Sequence, residues 1–193
     1  MDKDRLEEYQ AKRNFSATPE PRGGDTPPPA RPVFSVQKHF ASSLHYDLRL
    51  EVGGVLRSWA VPKGASLDPA DKRLAVQVED HPLDCATFQG TIPEGHYAAG
   101  EVLLWDTGWW EPDTQWSRTF KEQAARGKLP DVEAKLAAGE LKFILHGHKL
   151  RGSFVLVQMK NRGPKNWLLL KHKDDHARRG YNVTAEEPDS VAG

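Results

Sequence analysis

From Leu44 to Glu51 apolar and polar residues alternate without a break, and no other feature restricts the fold of this chain as much. A period of two marks a half-buried strand, so Leu44, Tyr46, Leu48 and Leu50 face one way while His45, Asp47, Arg49 and Glu51 face the other. The alternation returns over residues 73–80, with Leu74, Val76 and Val78 expected on one face and Arg73, Ala75, Gln77 and Glu79 on the other. Gly53-Gly54 reads as a hairpin turn leading into a strand over 55–61, and Pro62 and Pro82 end strands because proline cannot donate to a ladder. Further strands are expected over 101–106, 141–145, 152–160 and 167–171. Short helices are expected over 2–13, 123–128 and 131–138, the last with Gly139 placed to cap it. So many short strands beside so few helices predict a mainly β chain, a single small β-barrel with a few short helices and an extended amino-terminal arm.

Prolines at 19, 21, 27, 28, 29 and 32 make the segment before the first strands an extended arm. The expected organisation is therefore an amino-terminal helix and Pro-rich arm over 1–32, a barrel domain over 33–180 and a disordered tail over 181–193. Twenty-seven basic and 27 acidic residues cancel, which argues against a broad basic surface for gripping nucleic acid and leaves room only for a local cationic pocket. The single cysteine, Cys85, forbids an internal disulfide, and the first residues lack the apolar core of a secretory signal. A cytoplasmic location is expected.

The polar file of the central strand carries the chemistry. His45 and Asp47 are two metal-ligand types one pleat apart, Arg49 follows as a guanidinium able to hold an oxyanion, and His39, beyond Ala-Ser-Ser, could curl back as a third ligand. Periodicity leaves two readings open: a solvated face with cross-strand charge pairs, or a one-sided metal site with open positions. In a small barrel the file would point into a cavity, where lone charge is costly and must be paired or metal-bound. Gly90 to Gly100 is a turn-rich loop, not a nucleotide fingerprint. Trp105, Trp109, Trp110 and Trp116 are expected mainly to seal the β core rather than to stack on bases. His146-Gly-His148 is expected at the surface, and the charged run from His172 at a solvated end.

Gln37-Lys-His39, Leu-His45-Tyr-Asp47-Leu-Arg49-Leu-Glu51, Ser58-Trp-Ala-Val-Pro-Lys63-Gly, Asp71-Lys-Arg73-Leu-Ala, Val78-Glu-Asp-His81-Pro-Leu and Pro93-Glu-Gly-His-Tyr-Ala-Ala-Gly100 are linked motifs. In order and spacing they resemble the 3'-phosphoesterase domain of bacterial ligase D and its stand-alone relatives, and the likeness runs from Arg13 to Lys171. The resemblance implies a monomeric β-barrel phosphoesterase, dependent on Mn2+ with Zn2+ or Co2+ as other first-row candidates. It would trim ribonucleotides and phosphates from nucleic-acid 3' ends in DNA end repair, with a DNA ligase or an end-binding protein as a further partner. It makes His39, His45 and Asp47 the metal ligands. It places Gln37, Arg49, Lys63, Arg73 and His81 around the scissile phosphate, and adds Arg13 and Glu20 from the arm. The implied chemistry has Arg49, Arg73 and Lys63 neutralising phosphate charge while His81 donates a proton to the departing oxygen or binds phosphate. Two positions depart from the family pattern. Cys85 stands where relatives carry an active-site tyrosine, and Asn14 follows Arg13 where relatives carry aspartate, changes that bear on the balance between diester and monoester cleavage. Two other classes would use similar parts: a non-catalytic nucleic-acid-binding barrel, and a cupin-like oxygenase or isomerase, whose ligand histidines are usually spread over two separated motifs.

Overall fold

Nine strands form one antiparallel sheet in a computed structural model that describes residues 3–193. They are β1 (Val33–Phe40), β2 (Leu44–Val52), β3 (Val55–Val61), β4 (Arg73–Pro82), β5 (Gly90–Ile92), β6 (Gly100–Pro112), β7 (Glu140–Gly147), β8 (Arg151–Gln158) and β9 (Asn166–Lys171). Neighbours run β1-β2-β3-β4-β9-β8-β7-β6, and β6 returns to pair with β1, closing eight strands into a barrel with β5 attached to the start of β6. The β2–β3 turn is as the sequence predicts, with Gly53 and Gly54 both at positive φ, 60° and 86°, the backbone that a two-residue hairpin demands.

One apolar cluster draws on every barrel strand: Phe34, Leu48, Trp59, Ala75, Trp105, Phe143, Phe154 and Trp167 each come from a different one. This is the barrel interior. Eight strands enclose a space just wide enough for side chains to fill, so no room remains for a polar cavity within. The expectation that His45, Asp47 and Arg49 point inward is corrected accordingly: Tyr46, Leu48 and Leu50 take the inside, and the polar file lies on the outer wall. It is nonetheless covered. The helix α1 (Glu7–Ala11) and the short 3-10 segment Leu83–Thr87 pack over β3 through a second cluster of Tyr9, Leu56, Leu83 and Cys85, with Phe15 and Val33 against it. A one-turn helix cannot stand alone in water; Tyr9, buried in that cluster, is what docks it. Asp2, the expected start of this helix, lies outside the described residues.

Other expectations change as well. A bulge in β4 places Leu56 opposite His81 but Ser58 opposite Val78, which breaks the predicted alternation. Leu74 is exposed and Ala75 joins the core, while Val78, Glu79 and His81 all reach the outer cavity. The tail is not loose: Val183, in the short helix Val183–Glu186, is buried in the main core, and Trp105 donates to the Glu187 carbonyl at 2.8 Å. The run after Lys171 is tied in as well, since the Lys171 ammonium is buried against Asp174 and the Ser153 hydroxyl bonds His172. The tryptophans divide, with Trp105 and Trp110 in the core, Trp109 stacked on His146 and the exposed Trp116 stacked on His172. A helix over Arg118–Ala125 begins earlier than its sequence suggests, because Phe120 is its only buried side chain and leaves little apolar periodicity to detect. Among the described residues no helix is long and apolar enough to cross a membrane.

Candidate metal centre and anion-binding cavity

The hairpin of β1 and β2 assembles the centre. Register places His39 directly opposite His45 and Gln37 opposite Asp47, so a ligand expected to curl back over a loop instead stands on its own strand. Side chains opposite one another in an antiparallel pair are close neighbours. One ligand atom each from His39, His45 and Asp47 lies within 4.8 Å of the others, and the two imidazole rings are 4.8 Å apart in an edge arrangement. His45 Nε2 is 3.2 Å from one oxygen of Asp47, and His39 Nδ1 is 3.6 Å from the other.

The outer nitrogens fix the orientation of both rings. His39 Nε2–H donates to the Ala98 carbonyl at 2.8 Å, and His45 Nδ1–H donates to the Ser43 carbonyl at 3.2 Å. With those protons committed outward, both lone pairs face the Asp47 carboxylate. That is the tautomer pattern by which carbonyls orient metal-binding histidines. Burial works against charge on Asp47, but when the inner nitrogens carry a proton their bonds to the carboxylate, together with the Arg49 guanidinium, outweigh it: they hold the carboxyl well below its ordinary range, and Asp47 raises His45 in turn. Two imidazoles and an ionised carboxylate suit a first-row divalent cation, which would take the place of that proton.

Arg49 stands beside this trio with its fork filled on one side. Its Nε donates to Gln37 Oε1 at 2.6 Å and one terminal nitrogen to Ser58 Oγ at 2.8 Å, while the other lies 3.7 Å from Asp47. Gln37 is fixed in turn by the Cys85 and Phe88 carbonyls, at 3.1 and 2.9 Å. The guanidinium is therefore held in one orientation before anything binds.

Residues far apart in sequence complete the cavity. Its volume is 260 Å³, and Arg13, Glu20, Gln37, His39, His45, Asp47, Arg49 and His81 all line it. Arg13 is clamped between Glu20 at 2.8 Å and Glu79 at 3.3 Å, with one nitrogen 3.4 Å from His81 Nε2. His81 Nδ1–H donates to the Glu79 carbonyl at 2.9 Å, leaving Nε2 as the acceptor. Burial first, then the nearby Arg49 and Arg13 charges, push its pKa well below the ordinary imidazole value, so His81 is neutral at pH 7. The unfolded chain thus binds a proton at this residue, below about pH 6.5, that the folded chain refuses. This part of the stability is complete above the unfolded pKa and is lost as pH falls toward the folded one. His81→Gln is expected to flatten the acid side of the urea-midpoint profile, and an unchanged slope below pH 6.5 would show that His81 is protonated in the folded protein.

Two expected members are elsewhere. Lys63 and Arg73 share a separate recess of 570 Å³ with Lys72 and Asp71, because Arg73 opens β4 at the barrel rim and its guanidinium is held by the Lys63 carbonyl at 3.1 Å and by Asp71 at 3.4 Å. Sequence reasoning missed Glu79, Ser58, Tyr9 and Tyr97. Glu79 was hidden by the β4 bulge, and Tyr9 lay within the short helix expected over 2–13 with nothing in the sequence to mark it as part of a site. The Tyr9 hydroxyl donates to the Pro21 carbonyl at 2.5 Å and touches Cys85 Sγ at 3.4 Å, so a phenol does stand beside position 85, supplied by α1 and already engaged. Burial pushes the Cys85 thiol up to about 11, which keeps it protonated and unreactive. Asn14 turns away to accept from the Ser16 backbone and hydroxyl.

A closed barrel whose outer wall sets a His-His-Asp trio beside fixed arginines, under a docked amino-terminal layer, defines a candidate metal centre for an anionic substrate. Comparison with known proteins gives it a family. A family model described as the DNA Ligase D 3'-phosphoesterase domain matches residues 37–158, and the chain belongs to that family. It is 49% identical over 191 residues to the multifunctional non-homologous end joining protein LigD of Pseudomonas aeruginosa, covering 96% of this chain and 21% of that protein. The corresponding protein of Mycolicibacterium smegmatis is 41% identical over 172 residues, 89% of this chain and 21% of the relative. That of Mycobacterium tuberculosis is 39% identical over 161 residues, 80% and 18%. The chain thus spans about a fifth of the length of these curated relatives.

Proposed function

We propose that this chain is a metal-dependent 3'-phosphoesterase that removes a terminal ribonucleoside, or a terminal phosphate, from the 3' end of a nucleic-acid strand during end joining. The observation that carries this reading is the convergence of His39, His45 and Asp47 with both imidazole lone pairs turned inward beside the fixed Arg49. A divalent cation held by those three residues, manganese being our choice with zinc or cobalt as alternatives, would supply Lewis acidity at a phosphate oxygen and acidify a water for attack.

The chain's own groups do the rest. Arg49 presents its remaining terminal nitrogen, 3.7 Å from Asp47, to a phosphate oxygen and stabilises the charge that builds up there, at no cost of reorientation because Gln37 and Ser58 already hold the guanidinium. His81 enters as a neutral base with its Nδ1 proton committed, so Nε2 is the atom that takes up a proton and later returns it to the departing sugar oxygen. Arg13 spans Glu20, Glu79 and His81 and closes the amino-terminal side of the cavity against water. Lys63, Lys72 and Arg73, in their separate recess, are assigned to phosphates of the strand away from the cut. A cavity of 260 Å³ is smaller than the roughly 300–1,000 Å³ of sites that engulf a whole small-molecule ligand, which suits a strand end with the remainder outside. The zero net charge points the same way, toward recognition of an end rather than non-specific coating of a duplex.

The test is a primer-template ending in one ribonucleotide, incubated with and without manganese, with nucleoside release resolved from phosphate release. Release of both, only with added metal, is expected. Tight binding in chelator without turnover in manganese would instead favour a non-catalytic nucleic-acid-binding barrel. Association with a DNA ligase or an end-binding protein belongs to the same proposal and rests on the relatives' end-joining role.

A further inference from the structure

Tyr97 is a large aromatic side chain at the cavity with no part in the chemistry above, and 45% of its surface is exposed. Exposed aromatics scattered singly need no explanation; this one is held in place from three directions. Its hydroxyl donates to Glu79 Oε2 at 3.4 Å, and the Lys12 ammonium and Arg13 guanidinium lie over its ring at 4.9 and 5.0 Å. The next residue, Ala98, has φ of 63°, the one non-glycine positive φ among the described residues, and its carbonyl is the acceptor that orients His39. An L-residue occupies that backbone region at a cost and keeps it only where the surroundings demand it. The loop carrying Tyr97 is thus anchored to the metal centre itself, and the ring is an exposed, flat, pre-oriented surface one residue from a contact to a metal ligand.

Resting on the function proposed above, we infer that the Tyr97 ring is the platform on which the base of the 3'-terminal nucleoside stacks, making it the residue that distinguishes a nucleoside-terminated end from a phosphate-terminated one. Every base offers a π-face, so such a platform grips the leaving nucleoside without reading its identity, and the flanking cations add to the attraction. A 3'-phosphate end carries no such base beyond the scissile bond and draws nothing from the ring.

Steady-state kinetics of the full chain with added manganese test this on two primer-templates identical except at the end, one terminating in a ribonucleoside and one in a 3'-phosphate. Tyr97→Ala is expected to raise KM for nucleoside removal on the order of ten- to hundred-fold, and at least ten-fold more than it raises KM for phosphate removal. Tyr97→Phe and Tyr97→Trp, which keep the ring, are expected to restore the wild-type ratio between the two substrates. Equal losses on both ends, or a ratio that Phe and Trp fail to restore, would reduce Tyr97 to a loop anchor and overturn the inference. A wild-type protein that turned over neither substrate would overturn the proposed function and this inference with it, whereas an active wild type with an unselective Tyr97→Ala would overturn the inference alone.

Discussion

Asp47→Asn is expected to abolish turnover of 3'-terminated primers and to remove detectable manganese binding in a calorimetric titration. The substitution keeps the shape of the side chain and withdraws its charge. Of the cavity carboxylates, Glu20 and Glu79 are both committed to Arg13, which leaves Asp47 as the anion facing the two imidazole lone pairs. Losing an outer-shell partner costs roughly 10–100-fold in metal affinity, and losing the anionic ligand itself should exceed that. The fold should survive, since Arg49 retains Gln37 and Ser58 and the barrel core lies on the opposite face of β2. Circular dichroism and the urea midpoint check that point. His45→Ala should act in the same direction, because it removes one of the two lone pairs that the Ser43 and Ala98 carbonyls hold toward Asp47. Wild-type turnover by either variant in added manganese would rule out this trio as the metal site.

Arg49→Ala should lower kcat on the order of 10²–10³, the typical cost of deleting one donor aimed at developing charge. Manganese binding should persist in this variant, and that separates it from the ligand substitutions: Arg49 repels a cation and so cannot be one of its ligands. Arg49→Lys is expected to resemble Arg49→Ala more than wild type. A lysine restores the charge, but its three donors sit on one nitrogen, so it cannot span Gln37, Ser58 and the cavity as the separate nitrogens of the planar guanidinium do. Full activity of Arg49→Lys would show that the site needs only a point charge there, and that the Gln37–Arg49–Ser58 arrangement serves stability rather than catalysis.

Much of this site was legible before any coordinates. The His45, Asp47, Arg49 file follows from period-two alternation, a local property that holds in any half-buried strand. The β2–β3 hairpin follows from Gly53-Gly54, and the cap of the helix Val132–Ala138 from Asp131 and Gly139. His39 was legible as a ligand by type and by resemblance, though not by its path, since partnership across a hairpin depends on register and the connecting Ala-Ser-Ser does not announce a turn. Glu79 was obscured by a bulge that shifts side-chain parity within one strand, a change that leaves no mark in an alternation pattern, whereas His81 was legible through the resemblance.

By itself the sequence determined which residue types could do chemistry and that they share one face of a strand, because the pleat enforces this within a few residues. It also determined a closed, mainly β architecture through the number and punctuation of its strands. Only the tertiary structure decided which face of that strand is inside, and the answer came from packing volume: the aromatic and aliphatic side chains of eight strands fill the lumen and send the polar file outward. Tertiary structure likewise gathered Tyr9, Arg13 and Glu20 over β4 and sent Lys63 and Arg73 to a different recess. Contacts between residues dozens of positions apart are set by how the elements pack, and no local periodicity encodes that.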